Sequence, residues 1–192
     1  MLKEKIISQE KTLQKIVVLG PESTGKSTLC EALAKHYDAI DCKEYAREYL
    51  QQFGTKYNFE NLLTIAKGQL RLEDQAIEKA TQLLPEKGKN KIFIDTDMYV
   101  MKVWSEYVFN NCHPFILEQI NNRQYDFYLL CNIDLPWAAD EMREYPDEKP
   151  RQELYSIYKD ILINQTTPWG IVSGQSEERT KNAIQLIDQL FV

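Results

Sequence analysis

The sequence lacks long apolar runs and an excess of basic residues. No stretch approaches the ~20 apolar residues that a membrane span needs. The N-terminal segment has no signal-peptide pattern, so we expect a cytoplasmic protein without a membrane partner. The formal net charge is −6. This balance argues against a nucleic-acid partner, because binding a phosphate backbone needs clustered lysine and arginine.

Cysteine and histidine are scarce and scattered. The four cysteines form no CxxC pair, and neither of the two histidines has a second ligand at metal spacing. We therefore expect reduced thiols and no zinc site. The chain has 192 residues, 43% of them hydrophobic, which fits one compact domain with a real core.

Apolar, β-rich runs alternate with longer helical patterns, which is typical of a parallel sheet covered by helices. The longest helical pattern spans residues 59–84 and stops at Pro85 and Gly88. The predicted fold class is therefore α/β with five strands. The strand candidates are residues 15–19, 39–42, 91–95, 126–131 and 169–173.

The strongest chemical signal is GPESTGKS at residues 20–27, which matches GxxxxGK[ST] between a buried-type strand and a helix beginning near Lys26. Gly20 and Gly25 let the backbone turn tightly, so that its amides point at phosphates. Lys26 would meet the β- and γ-phosphates, and the Ser27 hydroxyl would coordinate Mg²⁺. The predicted cofactors are therefore ATP and Mg²⁺.

Two segments supply the predicted ATP site. Glu22 is unusual beside phosphates, and we expect it on the outer curve of the loop, facing solvent or the acceptor. The segment SGQSEERTKNA, which opens the last helix, could contact the edge of an adenine ring with its backbone groups. The predicted ATP-binding residues are Gly20, Glu22, Ser23, Thr24, Gly25, Lys26, Ser27, Thr28, Gly174 and Gln175.

An acidic partner for Mg²⁺ is predicted at the end of the third strand, where FIDTD places Asp95 after an apolar run. Asp97 points to the same side if the strand continues, so one of the two acids could instead orient the acceptor hydroxyl. Asp97 also precedes the helical pattern MYVMKVW, where it would be a good N-cap. The two roles of Asp97 are compatible.

The acceptor pocket is predicted beyond the carboxyl ends of the strands, the usual ligand position in open α/β sheets. In the segment EYARE, Glu44 could accept a proton from an attacking hydroxyl. Arg47 could brace a phosphate or pair with a carboxylate. Ordinary helix-surface positions are the alternative for both. Aromatic rings near the same mouth could stack on a nucleobase or pack in the core: Tyr45, Trp104, Tyr107 and Trp137.

A polar segment bracketed by prolines covers residues 140–150 and is expected to form a mobile flap. Arg143 and Arg151 could close over a transferring phosphoryl group and stabilise its negative charge. Surface salt bridges to Asp147 and Glu148 are the alternative. The candidate catalytic residues are Lys26, Glu44, Asp97, Arg143 and Arg151.

Seven motifs together resemble the ribosylnicotinamide kinase domain of NadR-type NAD-biosynthesis proteins, from about Lys15 to the C terminus. They are GPESTGKSTL, EYAREYL, FIDTD, KVWSEY, YDFYLLC, PWAADEMRE and SGxxxxR. The resemblance implies a three-layer nucleotide-kinase-like fold with strand order 2-3-1-4-5 and an acceptor pocket lined by the EYARE and KVW segments. It also implies an arginine-bearing lid over about residues 134–151. The implied reaction converts nicotinamide riboside and ATP to nicotinamide mononucleotide and ADP.

The sequence also departs from that family. Bifunctional relatives carry an adenylyltransferase domain before the kinase, whereas here an extension of residues 1–14 precedes a kinase domain of residues 15–192, and no HxGH motif occurs. We therefore expect no adenylylation activity and no DNA-binding role. Glu141 stands where the family usually has glycine.

Two other functions stay compatible with the sequence. One is a kinase for another nucleoside or small cofactor precursor, because the phosphate machinery does not decide the acceptor. The other is an ATP-dependent switch or binding module, in which hydrolysis is incidental. The expected partner is a small-molecule nucleoside, and the sequence predicts no oligomeric state.

Overall fold

Five short apolar segments form one parallel sheet in the computed structural model, which describes residues 12–84, 90–139 and 147–191. The strand order is β2-β3-β1-β4-β5. The strands are β1 (Gln14–Leu19), β2 (Ile40–Cys42), β3 (Lys91–Asp95), β4 (Phe127–Cys131) and β5 (Trp169–Val172). The α/β class, the five strands and their order are thereby confirmed, and each strand boundary lies within one residue of its predicted place.

Helices cover both faces of the sheet, which gives the predicted three layers. The helices are α1 (Lys26–Tyr37), α2 (Tyr45–Phe53), α3 (Phe59–Leu83), α4 (Met98–Phe109), α5 (Pro114–Asn122), α6 (Glu148–Ile163) and α7 (Ser176–Leu190). Helices α1 and α7 pack on one face, and α3, α4 and α6 pack on the other. Helices α2 and α5 pack against α3 and α4.

The continuous apolar run of β1 is explained by burial on both of its sides. Ile16 and Val18 pack with α1 and α7, whereas Val17 and Leu19 pack with α3, α4 and α6. All four side chains are 0% exposed. Burial of each side chain contributes about 1.5–3 kcal/mol to folding, so the strand that leads into the phosphate-binding loop is firmly held.

A separate apolar cluster joins α2, α3, α4 and α5 beside the carboxyl edge of the sheet. Its most buried members include Ile65, Met101 and Ile116, each 0% exposed. Because α2 and α4 share this cluster, the segments EYARE and KVWSEY are carried on one packed unit.

Part of the predicted flap is helical. Helix α6 begins at Glu148, and Pro150 lies in its first turn, where a missing N–H removes no helical hydrogen bond. Residues 1–11 and 140–146, including Arg143 and Glu141, lie outside the described residues. Among the described helices, none combines the length and the apolarity that crossing a membrane requires.

Candidate active site

The phosphate-binding loop follows β1 and is shaped by glycine at its start. Gly20 has φ +143°, and a Cβ there would lie 2.9 Å from the carbonyl oxygen of Cys131 on the neighbouring strand β4. Inside the loop, Thr24 is fully buried and donates its hydroxyl to the carbonyl of Pro21 at 2.8 Å. The loop conformation is therefore fixed by the strands beneath it and by its own hydrogen bonds.

The amino end of α1 points out of this loop. Gly25 is its N-cap and carries no side chain to bond the first-turn amides, which leaves them available to an anion. Lys26, the first residue of α1, donates from Nζ to the Pro21 carbonyl at 3.1 Å across the loop. Ser27 and Thr28 are exposed in the same turn. The loop therefore presents a cation and free amides to one side.

A cleft of about 320 Å³ opens on that side of the loop. The loop residues Gly20–Thr28 form one wall, and helices α2, α4 and α6 form the others. The lining residues from the helices are Glu44, Ala46, Arg47, Leu50, Val100, Trp104, Tyr107, Leu154 and Tyr158. The structure thus brings the predicted residues Glu22, Lys26, Glu44, Arg47 and Trp104 together in one cavity that holds both charges and aromatic rings.

Asp95 ends β3 beside this loop and is 1% exposed. Burial raises the pKa of Asp95 to about 6; the Glu44 carboxylate adds to the rise, and the Lys26 ammonium opposes it. The Ser27 hydroxyl is close enough to lower this pKa, yet neither oxygen of Asp95 has a hydrogen bond of ordinary geometry. Two buried carboxylate oxygens without donors, next to a serine hydroxyl, are a donor set that fits Mg²⁺.

Asp97 differs in setting from Asp95 because the strand does not continue past Asp95. Thr96 has φ +76°, which turns the chain and makes Asp97 the N-cap of α4. Asp97 Oδ1 accepts from the amides of Tyr99 and Val100 at 3.0 and 3.2 Å. Its Oδ2 accepts from the Tyr128 hydroxyl at 3.2 Å. The predicted capping role of Asp97 is therefore confirmed, whereas the condition for its sharing a side with Asp95, a strand that continues past Asp95, is not met.

Within the described residues, the cleft lining does not include the predicted site residues Tyr45, Trp137 and Arg151. Tyr45 packs on α3, where its ring occupies the space beside Gly68 and lies under the Arg71 guanidinium. The Arg151 guanidinium lies 5.7 Å from the ring centre of Trp137, and its Nη2 donates to the Leu135 carbonyl at 3.1 Å. Arg151 is 7% exposed and lies near the start of α6.

Gly174 and Gln175 lie beyond the cleft lining, in the loop between β5 and α7, which is tied to the loop after β4. The Gly174 amide donates to Asp134 Oδ2 at 2.7 Å, and Arg179 Nη1 donates to Asp134 Oδ1 at 2.7 Å. Although burial alone would raise it, the pKa of Asp134 is lowered by Arg179 and by the Gly174 amide. Arg179 also donates to the Asn132 carbonyl. Arg179 is the last residue of the SGxxxxR motif. That motif is therefore the sequence feature that marks this hydrogen-bond network.

The α6 wall of the cleft was missed by the predictions. Leu154 and Tyr158 line it, and Arg151 and Leu162 are buried on the same side of the helix. These four positions follow the spacing of one helix face, so the period was visible in the sequence. The segment begins with polar residues and prolines, which concealed this helical period.

A glycine-bent loop follows the central parallel strand, with a lysine and a buried acid beside it and a helix-walled cleft on one side. These features define a P-loop protein with the nucleotide-kinase fold. Comparison with known protein families shows which family the chain belongs to. A family model described as an AAA domain matches residues 15–179, and the chain belongs to that family.

The chain is also similar to NadR proteins, as the motifs predicted. It is 26% identical over 183 residues to the "Trifunctional NAD biosynthesis/regulator protein NadR" of Escherichia coli K12, covering 92% of this chain and 42% of that protein. The chain therefore spans less than half of that relative. A crystal structure of a NadR protein in complex with NR superposes with a TM-score of 0.73 at 20% identity, covering 94% of this chain and 52% of that one.

Thymidylate kinase shares the same fold over its whole length. The enzyme from Ehrlichia chaffeensis superposes with a TM-score of 0.59 at 14% identity, covering 93% of this chain and 99% of that one. The chain therefore shares its fold with a P-loop kinase over nearly the whole of that enzyme.

Proposed function

We propose that this protein transfers the γ-phosphoryl group of ATP to the 5′-hydroxyl of nicotinamide riboside, giving nicotinamide mononucleotide and ADP. The observation that carries the proposal is the cleft, which places Glu44, Arg47 and Trp104 next to the phosphate-binding loop. The similarity to NadR proteins, one of them solved in complex with NR, supports this choice of acceptor.

The chemistry of the cleft suits that acceptor. Nicotinamide riboside carries a cationic pyridinium ring, and Trp104 and Tyr107 offer aromatic faces to such a ring. The carboxylates of Glu22 and Glu44 line the same cavity and add favourable charge. A flat cation with a free hydroxyl would therefore find both stacking and electrostatic attraction close to Lys26.

In the proposed reaction, the 5′-oxygen attacks the γ-phosphorus while the bond to the β–γ bridging oxygen breaks. Lys26 and the first amides of α1 hold the phosphate oxygens and stabilise their charge. The hydroxyl proton passes to Glu44, which lines the cleft at the N-cap of α2 and makes no cap hydrogen bond with its side chain. The products are the phosphorylated riboside and ADP.

Ser27 and Asp95 are the residues that would hold Mg²⁺. Within the described part of the chain, no group of three His, Cys, Asp or Glu side chains could cage a metal, so the phosphates would supply further ligands. The bound ion would neutralise charge on the phosphate oxygens.

Glu44 and Asp97 can be separated as proton acceptors by amide substitutions. Burial raises the pKa of Asp97 to about 7, which suits a base, but both of its oxygens already accept hydrogen bonds. We expect Glu44→Gln to lower kcat about 10²-fold or more with little change in ATP affinity. Asp97→Asn keeps a cap acceptor and is expected to stay within about tenfold of the wild type. Single-turnover kinetics on both variants measures this.

The reverse ranking of these two variants would assign the base to Asp97. If neither variant loses more than about tenfold, roughly 1.4 kcal/mol, no side-chain base is required.

The proposed activity is tested by ADP release with ATP and Mg²⁺ across a panel of acceptors. The panel contains nicotinamide riboside, adenosine, uridine, thymidine, thymidine monophosphate and a blank without acceptor. We expect strong stimulation by nicotinamide riboside alone. Stimulation by another acceptor would reassign the substrate, and slow release that no acceptor changes would replace the kinase by a nucleotide-dependent switch.

A further inference from the structure

Gln69 is a buried polar side chain that core packing does not explain. It lies in α3 and is 1% exposed, beside the apolar residues Ala66 and Leu70. Burying an amide costs free energy unless its donors and acceptor are satisfied. The partners of this amide therefore indicate what it does.

The Gln69 amide joins the ends of two strands. Its Oε1 accepts from the backbone amide of Tyr45 at 2.7 Å. Its Nε2 donates to the carbonyl of Lys43 at 3.3 Å and to the carbonyl of Asp95 at 3.3 Å. One side chain thus holds the residues on both sides of Glu44 and the backbone of Asp95.

Besides Gln69, the segment around Glu44 is tied through the Lys43 ammonium, which pairs with Glu31 and with Asp41. Strand β2 is three residues long, lies at the sheet edge and ends at Cys42. Helix α2 starts at Tyr45, and the Glu44 side chain provides no cap. The close approach of α2 and α3 at Gly68, where a Cβ would lie 2.0 Å from the Tyr45 ring, brings Gln69 within reach of this segment.

We propose that Gln69 is a positioning residue that fixes Glu44 and Asp95 relative to each other by bonding the backbone at both sites. The inference rests on the proposed function, in which Glu44 accepts the proton and Asp95 faces the metal. Loss of the amide would let β2–α2 shift against β3, and a displacement of about 1 Å in a catalytic group can cost on the order of 10²-fold in rate.

The test compares Gln69→Met with Gln165→Met. Gln165 makes three backbone hydrogen bonds of the same kind, with Leu162 and Thr167, in the loop before β5 and away from the carboxyl edge of the sheet. Methionine keeps the length of the side chain in both places, and it keeps the helix propensity at Gln69. Both variants are expected to lower the melting temperature, whereas only Gln69→Met should lower kcat, by about 30-fold or more.

A second readout needs no acceptor. Nucleotide affinity is measured by calorimetry over a series of Mg²⁺ concentrations, and Gln69→Met is expected to need at least fivefold more Mg²⁺ for the same affinity gain. If Gln69→Met does not fold, Gln69→Glu is measured instead, because it keeps the acceptor for the Tyr45 amide and loses the donors to both carbonyls.

The outcomes separate the two proposals. A wild-type protein without acceptor-stimulated ADP release overturns the proposed function, and the Mg²⁺ series then decides the role of Gln69 towards Asp95 alone. Gln69 variants that match Gln165→Met in kcat and in Mg²⁺ dependence would show that Gln69 only stabilises the fold.

Discussion

Replacing Lys26 by alanine is expected to lower kcat by at least about 10³-fold, close to 4 kcal/mol of transition-state stabilisation. The Lys26 ammonium lies across the phosphate-binding loop, bonded to the Pro21 carbonyl on the cleft wall. Its hydrogen bond goes to a loop carbonyl, so we expect only a small change in melting temperature, caused by loss of the positive charge near the buried Asp95. Steady-state and single-turnover assays with ATP and nicotinamide riboside measure the loss.

Lys35→Ala is the matched control for this substitution. Lys35 is exposed in the last turn of the same helix. Its replacement by alanine changes the net charge by the same amount as Lys26→Ala. It should leave kcat within about twofold of the wild type. If Lys26→Ala kept more than about a tenth of the wild-type turnover, the phosphate-binding loop would not take part in the reaction as proposed.

The second large effect is expected on stability, at a buried ion pair. Arg123 Nη1 lies 2.9 Å from Glu73 Oε1, and the Glu73 side chain is 1% exposed. The Tyr125 hydroxyl also donates to Glu73. We expect Arg123→Leu to cost about 3 kcal/mol of unfolding free energy, because it leaves a buried carboxylate without its counter-charge. Urea denaturation measures this loss.

The loss should grow with pH. Burial raises the pKa of Glu73 above its ordinary value, and Arg123 opposes that rise. Without Arg123 the folded protein holds the proton more tightly, so stability falls as pH rises through the folded-state pKa. The deficit of Arg123→Leu should therefore be larger at pH 8 than at pH 5.

Asp74 provides the control within the same cluster. Arg123 Nη2 lies 2.8 Å from Asp74 Oδ1, but the Asp74 side chain is 63% exposed. Asp74→Asn should therefore cost no more than about 1 kcal/mol. Equal costs at Arg123 and Asp74 would contradict the assignment of stability to the buried pair.

Local patterns were sufficient to predict the strands and the loop. The runs KIVVL and KIFID are apolar on both faces because helices cover the sheet on each side. The loop motif is set by sterics at Gly20, where Cys131 leaves no room for a Cβ. Such constraints act between the residue and its immediate surroundings, and they leave a clear mark on composition and spacing.

Side-chain direction could not be predicted in the same way. Asp97 would face the same side as Asp95 only if the strand continued, but the strand ends at Asp95 and Thr96 has a positive φ. Threonine rarely adopts that conformation, so the turn depends on tertiary packing rather than on local preference. Arg151 and Trp137 were expected at the cleft, yet they contact each other. Helix α6 buries Arg151 in its first turns, which spacing alone does not reveal.

The central place of β1 has a consequence for the growing chain during synthesis. Its neighbours are β3 and β4, with Gln14 opposite Lys91 and Ile16 opposite Phe127. The loop at its end leaves the ribosome early, but it rests against Cys131 and cannot take its final shape until β4 is made. By then α2 and α4 have already emerged. In a half-made chain the loop therefore lacks Cys131 to pack against, and it reaches its folded shape only after α2 and α4, two walls of the cleft, have been made.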